Sequence, residues 1–264
     1  MSAIIIENSL VHYEAFGRGQ PLIFIHGWLG SWRYWVPTMD DLSDRYRTYA
    51  LDLWGFGDSD RRGEGYSISG YTALVQRFLD EMGIRQAPLV GHALGGVVAL
   101  RFAAAAPDRV NQVMAVSTPL DGSSVGRPLT SLSGNDRDIP SKALGRRQAT
   151  SYPEVQEEAH KTDTAAVVNS IQSVIHGNVR GDLGGIGAPV LLTYGEDDPL
   201  ISPPIDDWMT GLGNNIRSIS FNESRHFPML DDSNKFNRLL RDFLDAGEDL
   251  QALELKEEWR RRVR

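Results

Sequence analysis

The sequence predicts a doubly wound α/β fold, a mostly parallel central sheet with helices on both faces and a small cap insertion. Three observations predict it. Short β-rich runs alternate with segments of helical period along most of the 264 residues, the pattern of strands joined by crossover helices. Several of these runs are continuously apolar, as strands covered on both faces must be. The string Val90-Gly91-His92-Ala93-Leu94-Gly95-Gly96 leads from a strand into a helix through small residues.

Taken in order, Pro21-Leu22-Ile23-Phe24-Ile25 reads as a strand ending at His26-Gly27. Arg47 to Leu53 reads as the next, followed by the turn Gly55-Phe56-Gly57. Ala87–Val90, Val110–Val116, Pro189–Tyr194 and Ile216–Ser220 supply the others. Tyr71 to Met82 places Leu74, Phe78, Leu79 and Met82 at helical spacing, closed by Gly83. Leu94 to Ala106 is an alanine-rich helix that stops at Pro107. Lys235 to Leu244 carries Phe236, Leu239, Leu240 and Phe243 on one face. From Asp121 to Gly185 no strand is evident, and one amphipathic helix carries Val167, Val168, Ile171, Val174 and Ile175. The expected division is a core of residues 1–120 and 186–246, a cap over 121–185, and a charged C-terminal helix over 247–264. That helix would pack through Leu250, Leu253 and Trp259. The polar, Gly-rich cap suggests a small or mobile lid.

Composition narrows the function. With 41% hydrophobic and 23% charged residues, the chain is ordinary for a soluble domain. It has no cysteine, which excludes disulfides, Cys-ligated zinc and a thiolate nucleophile. The formal net charge of −8 argues against a nucleic-acid surface. The first residues lack the basic stretch and apolar length of a signal peptide, and no run is long enough to span a bilayer. A cytoplasmic location is expected. Neither H-E-x-x-H nor G-x-G-x-x-G occurs, so no metal and no cofactor is expected. The oligomeric state is left open.

In the string from Val90 to Gly96, the small residues at 91 and 95 permit a sharp strand-to-helix turn, which lifts the side chain of residue 93 above the sheet. The helix N-terminus beneath it favours developing negative charge. Here the sequence resembles the α/β-hydrolase superfamily, from His12 to about Leu244. The family elbow is G-x-S-x-G; this one is G-x-A-x-G. Other features follow in family order: His26-Gly27-Trp28 after a strand, the turn Asp52-Leu53-Trp54-Gly55-Phe56-Gly57-Asp58-Ser59, Gly195-Glu196-Asp197-Asp198-Pro199, and Ser224-Arg225-His226-Phe227-Pro228.

The resemblance implies a catalytic set of the nucleophile position Ala93, the orienting acid Asp198 and the base His226. The oxyanion-hole amides would be those of Trp28 and Leu94. Asp197 is the neighbour with which the acid could be confused, and Asp121 a more remote candidate. His92, Trp54 and Phe227 are expected to line the substrate pocket, alongside Trp28. His26 reads as structural, and His12, His160 and His176 as ordinary polar residues. Further aromatic residues in these loops include Trp32, Tyr34, Trp35, Phe56 and Trp208.

The implied function is a serine-type hydrolase acting on carboxylic esters, or related acyl bonds, of small apolar or aromatic substrates. A methyl group cannot attack a carbonyl, so the chain reads as inactivated by a serine-to-alanine change at position 93. Two alternatives stay open: a non-catalytic small-molecule binder of the same fold, and a lyase or cofactor-free oxygenase using His226 as base. Dehalogenases and epoxide hydrolases of this family need an aspartate at the elbow.

Overall fold

The computed structural model describes residues 2–204, 212–250 and 253. Its eight strands form one sheet: β1 (Ser2–Ile6), β2 (Ser9–Phe16), β3 (Gln20–Ile25), β4 (Tyr46–Leu51), β5 (Ala87–His92), β6 (Val110–Val116), β7 (Val190–Gly195) and β8 (Ile216–Phe221). Their order is β1-β2-β4-β3-β5-β6-β7-β8. Pairing is antiparallel from β1 through β2 to β4 and parallel across the rest. The hairpin β1–β2 is an addition to the strands read from sequence. Its two-residue turn puts both Glu7 (φ 50) and Asn8 (φ 62) in the left-handed region. That is the geometry such hairpins favour, but Glu at the first position hides the usual Asn-Gly signal.

Helices α1 (Val36–Leu42), α2 (Ile68–Glu81) and α3 (Leu94–Ala105) connect the first strands, and the helix Ser233–Ala246 follows the last. α2 begins three residues before the sequence reading because Ser67 caps it, its Oγ accepting from the Gly70 N–H. It buries Ile68, Tyr71, Leu74, Val75, Phe78 and Leu79 on one face. α3 lies under the centre of the sheet and is apolar nearly all round. It ends where Pro107 removes a donor. Trp35 is fully buried between Phe24 and Phe236, at ring distances of 5.0 and 6.3 Å.

Between β6 and β7 the chain forms helices: α4 (Arg127–Thr130), α5 (Ile139–Leu144), α6 (Arg146–Ala149), α7 (Pro153–Glu158), α8 (Thr164–Ile175) and α9 (Arg180–Leu183). Only isolated bridges, Asp121 to Asn178 and Val125 to Ile201, interrupt them among the described residues. This segment is fastened to the core. Arg33 pairs with Glu158 at 2.8 Å, Lys161 with Asp58 at 2.9 Å and Arg101 with Asp182 at 2.9 Å. The Tyr66 hydroxyl donates to Asp163 at 2.8 Å, and the Asp163 N–H to the Gly55 carbonyl at 2.7 Å. The first pair matters most, since Glu158 is buried and a buried carboxylate needs its partner.

Most of the expected C-terminal helix, Trp259 included, lies outside the described residues, as does Trp208. Leu250 and Leu253 are buried, and the Arg217 guanidinium donates to both their carbonyls at 2.8 and 3.3 Å. No helix among the described residues is long and apolar enough to cross a membrane.

Candidate active site

The site gathers at the C-terminal ends of the parallel strands. Ala93 follows β5 and caps α3 with φ 48 and ψ −110. An L-residue in such a conformation stores about 1–3 kcal/mol of strain and must be held there. The Ala93 N–H donates to the Val116 carbonyl at 2.8 Å. Both flanking glycines are required by close approach. A Cβ on Gly91 would lie 2.3 Å from the Gly95 oxygen, and one on Gly95 would lie 2.2 Å from the Ile25 oxygen. Gly27 is pressed against the elbow as well, since a Cβ there would fall 2.9 Å from the Ala93 methyl. The loop His26-Gly27-Trp28 therefore starts beside residue 93. The N–H groups of Trp28 and Leu94 have no hydrogen-bond partner among the described residues.

Opposite stands a carboxylate–imidazole pair. His226 Nδ1 lies 2.9 Å from Asp198 Oδ2, with both side chains essentially inaccessible to solvent. The other oxygen, Oδ1, accepts from the N–H groups of Leu200 and Ile201 at 2.8 and 3.2 Å. Asp198 is thus fixed by three hydrogen bonds, which holds the Nδ1–H on the ring. His226 Nε2 is buried with no partner. Asp197 is exposed and contributes only its N–H, to the Ser224 carbonyl. Asp121 caps a short turn, accepting from the N–H and hydroxyl groups of Ser123 and Ser124. Burial works against its charge, but those hydrogen bonds prevail and lower its pKa.

His92 sits beneath this pair. The Gly27 N–H donates to the Tyr34 hydroxyl at 2.6 Å, and that hydroxyl lies 2.9 Å from His92 Nδ1. His92 Nε2 is 2.8 Å from the His226 carbonyl. A carbonyl only accepts, so Nε2 carries the hydrogen and the tyrosine O–H donates to Nδ1. Burial, and after it the neighbouring His226, pushes His92 well below the usual imidazole pKa. The ring is a neutral brace between the loop of Gly27 and Trp28 and the loop of His226. Tyr34 stands outside the five sequence motifs, and the sequence marks it only as one of the aromatic residues in these loops.

Phe227 packs against His92 and His226, each at a ring distance of 5.0 Å, and against Tyr152 of the helical segment at 4.7 Å. Trp54 has the Arg62 guanidinium 4.7 Å over its ring and the Gly65 backbone against its edge. Trp28 is tied to the helical segment by its indole N–H, which donates to Ser170 Oγ of α8 at 2.9 Å. His26 is structural: Nδ1 faces the Gly27 carbonyl at 2.8 Å and Nε2 accepts from the Leu53 N–H at 2.9 Å. His12 is not an ordinary polar residue. It is buried, and its Nδ1 lies 2.9 Å from Asp52 Oδ2 in the turn after β4.

This arrangement, a strained strand-to-helix elbow and an acid–imidazole pair at the C-terminal ends of a parallel sheet, defines a class. The chain belongs to the α/β-hydrolase fold family, whose pattern it matches over residues 20–164. It is 25% identical over 255 residues to a pimeloyl-(acyl-carrier protein) methyl ester esterase of Aliivibrio fischeri, covering 89% of this chain and 97% of that protein. A shorter stretch of 113 residues is 41% identical to the dihydrolipoyllysine-residue acetyltransferase component of the acetoin cleaving system of Cupriavidus necator. That match covers 42% of this chain and 30% of its relative. The fold is similar to the enol-lactonase of Burkholderia xenovorans, with a TM-score of 0.82 and 18% identity over 92% of this chain and all of the other. It is also similar to the N-acyl homoserine lactonase AidH complexed with N-butanoyl homoserine, with a TM-score of 0.80, 21% identity, and 93% and 96% coverage.

Proposed function

We propose that this chain carries the site of a carboxylic-ester-class serine hydrolase from which the nucleophilic hydroxyl is missing. The observation that carries the reading is the unpartnered, buried Nε2 of His226, whose other nitrogen is held by Asp198. A serine at the elbow would supply the proton such a nitrogen takes. The relatives include an ester hydrolase matched over nearly the whole chain, which supports a hydrolytic site.

In the serine form, His226 is the base that takes the hydroxyl proton and returns it to the leaving alcohol. Asp198 orients the ring and stabilises its cation. The amides of Trp28 and Leu94 receive the oxyanion, and the residue 121–185 segment is the cap over the pocket that Phe227 helps to wall. As it stands, the chain binds an ester without forming an acyl-enzyme.

The test compares this chain, Ala93→Ser and Ala93→Ser/His226→Ala on p-nitrophenyl esters of rising acyl length. Ala93→Ser should exceed both others in kcat by on the order of 10⁴- to 10⁶-fold. A serine form as inert as the alanine form sinks this reading. It would leave ligand binding, or base chemistry by His226 without a covalent step, as the account of the site.

A further inference from the structure

A cleft of ≈ 600 Å³ opens where the α6 region meets the loop carrying His226. Arg146, Arg147, Gln148 and Ser151 line it from the inserted segment and Arg225 from the core, and no carboxylate lines it. On a chain of formal charge −8, a cleft walled by three guanidinium groups calls for a physical account.

Arg225 has an acidic neighbour, Asp231, 3.0 Å from its guanidinium. That carboxylate also accepts from the Arg225 N–H at 2.7 Å and from the Tyr152 hydroxyl at 2.8 Å, so its charge is already shared. Arg146 and Arg147 are exposed and have no ion-pair partner among the described residues. Gln148 Nε2 is buried, and its amide stands beside the Tyr152 hydroxyl, where it works against the rise in that group's pKa. Two guanidinium groups without an ion-pair partner among the described residues and a third shared with Asp231 line one small volume, and what Arg146 and Arg147 lack is an acceptor carrying negative charge.

One wall of the cleft leads to His226. Arg225 directly precedes His226 in the chain, and its guanidinium lies 5.2 Å from the Tyr152 ring, which in turn packs on Phe227.

We propose that this cleft is an anion-binding subsite, and that the ester handled next to it carries a carboxylate or phosphate remote from the scissile bond. The ester half rests on the function proposed above; the anion half does not. Guanidinium forks match the oxygens of both anions with paired, charge-assisted hydrogen bonds.

The experiment titrates the full chain, Ala93 in place, with adipate dianion and separately with inorganic phosphate. It follows the Arg Nε–H and Gln148 side-chain amide resonances. A saturating shift is expected with at least one anion, and whichever binds more tightly identifies the group. The affinity should weaken about tenfold in Arg146→Gln/Arg147→Gln, whose exposed positions leave the fold intact. It should also fall as salt rises from about 0.01 M to about 0.5 M. No saturation with either anion, or an unchanged affinity in the double variant, overturns the subsite. A second arm uses Ala93→Ser with monomethyl and dimethyl adipate. Preference for the charged monoester should shrink about tenfold in the double variant while the diester is unaffected. Turnover with no preference for the monoester overturns the link between cleft and substrate. Absence of any turnover defeats the proposed function instead, and the anion titration still decides the cleft.

Discussion

Single glycines do much to set where the reacting groups stand. Gly195 ends β7, and a Cβ there would lie 2.0 Å from the Arg225 oxygen and 2.5 Å from the Ser224 oxygen. Only hydrogen at this position lets the histidine loop close over the strand and reach Asp198. Gly195→Ala should therefore cost stability by about 1–3 kcal/mol in denaturant unfolding, as overpacking against backbone does. It should also lengthen the His226–Asp198 hydrogen bond. The measurement is the far-downfield Nδ1–H proton resonance, which should move upfield or vanish; an unshifted signal with full stability defeats the argument. The same reasoning explains why this part of the site was legible in sequence. Glycines at 91, 95 and 195 stand within three residues of Ala93 or Asp198 in the chain, so their spacing shows in the sequence although Gly95 and Gly195 meet backbone distant in sequence, at Ile25 and Arg225. Tyr34, His12 and Ser170 are held by contacts distant in sequence, such as Trp28 with Ser170, and no local spacing records them.

The elements act on the site through their attachments. The Trp28 indole reaches into the helical segment and donates to Ser170, whose hydroxyl in turn donates to the Ala166 carbonyl one turn back in α8. Both residues are buried. Ser170→Ala leaves the indole N–H without an acceptor and should destabilise the fold by about 1–3 kcal/mol. Trp28→Phe removes the donor, so the double variant should lose less than the sum of the single losses in urea unfolding. Strict additivity would show that the contact carries no energy. In the Ala93→Ser background, Ser170→Ala should lower kcat more than it raises KM, because a displaced Trp28 amide weakens oxyanion binding rather than ground-state binding. The tethering of this segment also marks a limit of sequence reading. Its glycines and polar residues suggest a small or mobile lid, and the contacts of Glu158, Lys161 and Asp163 with the core could not be read from them. A charge in a loop looks the same in sequence whether it faces water or a partner. The strands and long helices, by contrast, were legible to within a few residues, because burial on a sheet or a helix face writes its period directly into the chain. The hairpin β1–β2 escaped because its turn uses Glu7 where glycine or asparagine would have signalled it.

Across the whole molecule, buried histidines link stability to pH in two directions. His92 and His26 are neutral braces, both held below the ordinary imidazole value of 6.5, chiefly by burial. As pH falls below about 6.5 the unfolded chain gains protons that these rings refuse, so each removes stability at up to about 1.4 kcal/mol per pH unit. His12 works the other way. Burial pulls its pKa down, but the hydrogen bond and charge of Asp52, with Asp58 and Glu14 beyond, outweigh it and raise the net value above 6.5. Its contribution is complete below about 6.5 and is lost as pH rises through the folded-state value. Native carboxylates titrate mostly below about pH 5, so the interval from there to 6.5 reports the two braces. Urea midpoints measured across this interval should fall with acidity. His92→Gln keeps polar atoms where Tyr34 and the His226 carbonyl need them and should make that fall shallower. His12→Gln should leave the acid side unchanged and flatten the loss on the alkaline side. If His92→Gln instead leaves the acid-side slope as steep as before, the ring already protonates in the folded state. The neutral link from the Tyr34 hydroxyl through His92 to the His226 loop would then be the wrong description of how the elbow and that loop are held together.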